Sequence, residues 1–186
     1  LPEHGFWTIF HAILGVGPEK AMFFDARTGK RVKAIDYICD GGAVRGMVFH
    51  RVGNEQLDVE TMPGSGLGQG HQDQFIAEMA QWNLPRDRKF KVNGKDYTFE
   101  AFIQHSRDRA SIQAKQELSW AIIIVSQFYG TDHAWTNNRG EKLTLEDVVR
   151  YEMNEPIKES PVCGGTHRLF GLSWAYHLHL QRGGKK

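Results

Sequence analysis

Three stretches of the chain share one order of polar and apolar positions and align without gaps. They read Gly29-Lys-Arg-Val-Lys-Ala-Ile-Asp-Tyr-Ile, Gly94-Lys-Asp-Tyr-Thr-Phe-Glu-Ala-Phe-Ile and Gly140-Glu-Lys-Leu-Thr-Leu-Glu-Asp-Val-Val. Each begins with a glycine turn and a charged pair, passes an apolar residue, and continues with apolar positions at helical spacing. Thr98 and Thr144 stand where a helix N-cap belongs, with Glu100 and Glu146 in the first turn, where the helix dipole favours acids. Asn93-Gly94 is a strong tight-turn signal. The pattern predicts a short extended hook feeding an amphipathic helix, three times over.

A more apolar stretch precedes each hook: His4-Gly-Phe-Trp-Thr-Ile-Phe, His71-Gln-Asp-Gln-Phe-Ile-Ala and Gln116-Glu-Leu-Ser-Trp-Ala-Ile. A fourth, His167-Arg-Leu-Phe-Gly-Leu-Ser-Trp, follows the last hook helix. A helix apolar on most faces is a buried one. The chain therefore reads as buried inner helices alternating with water-facing outer helices. This predicts a mainly all-α fold, an α/α toroid or partial toroid of repeated helix pairs, in a single helical-repeat domain spanning 1–186. One stretch breaks the pattern. Residues 44–62 alternate around Gly53-Asn-Glu-Gln and predict a minor β-hairpin. The glycine-rich run from Pro63 to His71 lacks the Gly-Lys-Ser/Thr of a phosphate loop, and no βαβ unit surrounds it. It reads as a loop into the second inner helix.

Composition narrows the function classes. With 40% hydrophobic and 24% charged residues and a formal charge of +1, the chain has an ordinary globular balance and no broad surface for nucleic acid. Its longest apolar run, Trp120 to Val125, is far short of the roughly 20 residues that span a bilayer. The chain begins Leu1-Pro2 without Met or a signal peptide, so either a leader has been removed or this is part of a longer chain or larger assembly. Cys39 and Cys163 form no CxxC motif. They are either a long-range disulfide or two thiols, and an exported or periplasmic location is favoured over a cytoplasmic one.

The candidate chemistry lies at the starts of the inner helices, where His4, His71 and His167 stand. In a ring of parallel inner helices these imidazoles converge at one end of a central cavity. Helix N-termini favour anions and lower an imidazole's pKa, keeping it neutral. Three functional readings follow. The histidines bind zinc with an open fourth position, or supply a general base oriented by Asp73 or Asp132, or hydrogen-bond a ligand. The plain alternative is that each caps its own helix. Asp132 and His133, in the polar loop from Gly130 to Arg139, join the site if that loop reaches the same mouth. Cys163 lies four residues before His167, but a lone cysteine is more often structural than nucleophilic.

The alternation of inner and outer helices resembles the α/α toroid of terpenoid cyclases and protein prenyltransferases. Trp120 through Trp135, with Gln127 and Gly130 between, is similar to the cyclase QW repeat, although its glycine-to-tryptophan spacing is longer. GQGHQDQF, KQELSW, LEDVVRYE and CGGTHRLFGL look like an uncharacterised family of bacterial proteins with this kind of toroid. The resemblance implies the ring but no activity. The cyclase DxDD acid motif is absent, and the prenyltransferase zinc set cannot be assigned residue by residue. The expected function is a binding or structural module that holds an unknown ligand or protein partner in a histidine-lined cavity. The alternative is a metal- or histidine-dependent enzyme, a lyase or hydrolase with polysaccharide as the substrate class suggested by analogy. Whether the chain is an enzyme is left open.

Overall fold

A computed structural model describes residues 5–25, 28–61, 71–156 and 165–185. The helices are α1 (Phe6–Val16), α2 (Ala34–Cys39), α3 (Gln74–Gln81), α4 (Glu100–Arg109), α5 (Ser119–Phe128), α6 (Leu145–Asn154) and α7 (Thr166–Gln181). The strands are β1 (Met22–Asp25), β2 (Lys30–Lys33), β3 (Met47–Val52), β4 (Gln56–Thr61), β5 (Lys89–Val92), β6 (Lys95–Thr98), β7 (Ala134–Thr136) and β8 (Lys142–Thr144). They pair in sequence as four antiparallel two-stranded sheets among the described residues. With 44% helix and 23% strand among the described residues, the fold is mixed α+β.

This overturns the mainly all-α toroid and, with it, the helical-repeat reading and the resemblance both to the cyclases and to the bacterial toroid family. Each glycine-led hook is the second strand of a hairpin (β2, β6 or β8) that runs into α2, α4 or α6. The first strands have only three or four residues, too few for a two-residue alternation to stand out. The hairpin predicted at 44–62 is seen as β3 and β4, one of four among the described residues.

The chain divides into two compact units, residues 1–71 with 82–102, and residues 72–81 with 103–186. In the first, α1 buries Phe6, Ile9, Phe10 and Ile13 at helical spacing and exposes Trp7, Leu14 and Val16, so it is amphipathic rather than buried all round. Asn93 and Gly94 join β5 to β6 with φ of 51° and 79°, the doubly positive pair of a type I′ hairpin turn. Phe90 meets Phe49, Phe99 and Phe102 at centroid distances of 5.9, 6.0 and 5.2 Å. Arg88 donates to Asp36 on α2 at 2.8 Å.

In the second unit α5 is the centre, and α3, α6 and α7 pack on it. Ser119 through Ser126 are all buried, as a helix apolar on every face requires. The core joins Leu118, Ile122 and Val125 to Trp135, Leu143, Val148 and Ala175. Thr144 caps α6: its hydroxyl accepts from the Asp147 amide at 3.1 Å, and the Asp147 carboxylate accepts from the Thr144 amide at 2.8 Å. Thr98, by contrast, is separated from the start of α4 by Phe99, so it is not the predicted cap.

α7 is not the buried inner helix its composition suggested, because Leu169, Phe170 and Tyr176 are exposed. Its buried stripe is Gly171, Ala175 and Leu178. A Cβ at position 171 would collide with the Ser119 carbonyl oxygen and lie 3.1 Å from its carbonyl carbon and 3.2 Å from its Cα. Alanine for glycine inside a helix ordinarily stabilises by about 1 kcal/mol. Here the obstacle is backbone and cannot rotate away, so Gly171→Ala is expected to destabilise by about 1–3 kcal/mol, as overpacking does. Urea unfolding of parent and variant reads the sign, and a gain in stability would contradict the close α5–α7 approach. No helix among the described residues is long and apolar enough to cross a membrane.

Candidate metal centre

His71 lies three residues before α3. Glu117 lies two residues before α5, and His167 is the second residue of α7. One ligand atom from each of the three lies within 4.8 Å of the others. His167 Nδ1 and Glu117 Oε1 are 3.1 Å apart, and the Trp120 ring packs on the His167 ring at 4.7 Å.

A buried carboxylate positions two of these groups. Glu152 on α6 is 2% exposed, and its Oε1 accepts from the Leu118 amide at 2.5 Å. Its Oε2 accepts from the Ser119 hydroxyl at 3.3 Å and from Arg168 Nε at 3.1 Å. Leu118 follows Glu117 and Arg168 follows His167, so one side chain pins the chain beside both. Arg168 also donates from Nη1 to the Glu155 carbonyl at 2.5 Å, which fixes the guanidinium.

Of the predicted site residues, the structure brings together His71 and His167. Their third partner is Glu117, which the sequence reading did not single out. His4 and Cys163 lie outside the described residues. Asp73 is buried and faces Arg109 instead: Nη2 and Nε donate to its Oδ1 at 2.7 and 3.2 Å. Asp132 and His133 line another cavity, of about 450 Å³, with Tyr129, Thr131, His179 and Arg182. There His133 stacks on Tyr129 and Trp135 at 4.7 and 5.6 Å. Burial first, and then the charge of Arg107, lowers its pKa. Arg182 is committed to the Ser126 and Gln127 carbonyls at the end of α5, at 2.6 and 3.1 Å. Cys39 is a free, buried thiol.

Two imidazoles and a carboxylate form a donor set able to hold a metal ion. A tetrahedral zinc ion with bonds of about 2.0–2.2 Å holds its ligand atoms about 3.4 Å apart. Closing from 4.8 Å takes movements of the order of 1 Å, within the reach of side-chain torsions. No protein family, curated protein or solved structure matches the chain, so its function is argued from this geometry.

Proposed function

We propose that the protein binds a divalent transition-metal ion, zinc by its donor chemistry, through His71, Glu117 and His167. The observation that carries this reading is the convergence of the three ligand atoms within 4.8 Å, from positions far apart in sequence. Mixed nitrogen and oxygen donors suit zinc, whereas magnesium and calcium prefer oxygen alone. An ion held there would take the place of the contact between Glu117 and His167, since metal ions compete with protons for such ligands. A metal-dependent hydrolase is favoured as the second reading because the described residues supply three protein ligands, a set that leaves a position open for Lewis-acid chemistry.

Metal content of the purified chain after equilibration with zinc tests the proposal. One zinc per chain is expected, with loss in a His71→Ala, His167→Ala double variant whose far-ultraviolet circular dichroism is unchanged. The near-isosteric Glu117→Gln is expected to weaken zinc binding by about tenfold or more, the scale on which neighbouring groups tune metal sites. No retained zinc, or retention undiminished in the double variant, refutes it.

A further inference from the structure

A second cavity, of about 410 Å³, is lined by Gln72, Arg109, Gln116, Asn138 and Arg139. We infer that this cleft is an oxyanion subsite, holding the phosphate or carboxylate group of a small anionic substrate. The inference rests on the metal reading for its place in a larger site. Gln72 is the chain neighbour of His71, and Gln116 that of Glu117, so two lining residues are joined directly to metal donors.

The lining decides the chemistry. It has no apolar side chain, which excludes a greasy ligand, and its two guanidiniums repel a cation. Three carboxamides add neutral donors. The acids near the cleft are already committed. Asp73 is paired with Arg109, and Gln72 Nε2 lies 3.4 Å from its second oxygen. Asp108 is paired with Arg107 at 2.6 Å. Glu141 accepts from the Gln113 amide at 3.0 Å and from Asn137 Nδ2 at 2.5 Å. Arg139 makes no ion pair among the described residues, although the Glu141 carboxylate lies in its field. The lining itself thus carries two guanidiniums and no carboxylate.

The walls are also built rather than loose. The Asn138 amide donates to the Asp108 carbonyl at 2.7 Å, and the Arg139 amide to Asn137 Oδ1 at 2.9 Å, which fixes the loop between β7 and β8. Gln116 Nε2 lies 3.4 Å from the Arg109 carbonyl. A planar guanidinium gives two parallel donors to phosphate or carboxylate, the geometry such groups bind best.

Phenyl phosphate and benzoate are suitable probes, since they share a ring and differ in the anionic group. Calorimetric titration of the full chain, zinc-free and zinc-loaded, compares them on parent and Arg139→Ala. Saturable binding of one or both, weakened about tenfold or more by Arg139→Ala with zinc stoichiometry unchanged, is the expected result. The stronger of the two names the anionic group. If zinc binds but neither probe does, or both bind Arg139→Ala as they bind the parent, the oxyanion subsite is overturned and the metal reading stands. If zinc fails to bind while Arg139 still governs probe binding, the cleft is upheld and the metal reading falls.

Discussion

Glu152→Ala is expected to cost about 3–5 kcal/mol of stability and to loosen the metal centre. Breaking a buried ion pair from one side leaves the other charge without compensation, and such losses reach this size. Here the abandoned groups are the Arg168 guanidinium, the Leu118 amide and the Ser119 hydroxyl, all facing a position closed to water. The same three contacts hold the chain beside Glu117 and His167, so zinc affinity falls even where the variant remains folded. Urea unfolding measures the first effect, and zinc titration below the transition measures the second. Glu152→Gln keeps the size and part of the hydrogen bonding and is expected to lose less than alanine on both scales. A loss below about 1 kcal/mol for alanine, in the range of an exposed pair, would mean that the buried network does not organise this end of the unit.

Glu78 has the opposite role, and its effect depends on pH. On α3 it is 3% exposed; Gln74 donates to Oε1 at 2.9 Å, and Oε2 has no hydrogen-bond partner. Its neighbour α5, Ser119–Phe128, carries no ionisable side chain. Burial pushes the carboxyl up to about 7 from its ordinary 4.5, with only the Gln74 hydrogen bond pulling it back. The folded chain therefore holds a proton that the unfolded chain releases near 4.5. Between these pKa values the folded state binds more protons, so stability falls as pH rises, and the full penalty applies above about 7. A shift of this size corresponds to about 3 kcal/mol at 1.36 kcal/mol per unit. Glu78→Gln removes the charge and keeps the shape. It is expected to stabilise by about 2–3 kcal/mol at pH 8 and by little at pH 5. Unfolding midpoints at the two pH values decide the matter, and equal gains at both would sink the argument.

The sequence was most legible where local chemistry dictates local geometry. Asn93-Gly94 makes the predicted turn, Thr144 caps α6, and the run from Trp120 to Val125 is buried on every face of α5. The architecture was misread because pairing is not local. Ala134-Trp-Thr136 becomes a strand only when Lys142-Leu-Thr144 lies beside it, and three residues carry no period of their own. α7 misled for a different reason: its many apolar residues are spread around the helix, while only the stripe of Gly171, Ala175 and Leu178 is buried. In the candidate site, His71 and His167 were found because both stand at helix starts. Glu117 was missed although it occupies the same kind of place, just ahead of α5, where the pattern of histidines had a gap. Asking which metal-binding residue type fills that gap would have found it.

The burial of Cys39 has a consequence for the chemistry of the first unit. The thiol is 1% exposed, and burial, opposed by Arg88, pushes it up to about 11. At pH 8 only about one molecule in a thousand carries the thiolate that reacts with electrophiles. Alkylation and oxidation at this position are thus gated twice, by ionisation and by access, and proceed through transient openings of the packing around α2. With two cysteines in the chain, replacing Cys163 by serine leaves Cys39 as the single thiol. Its labelling rate then becomes a clock for how often the interior of that unit breathes.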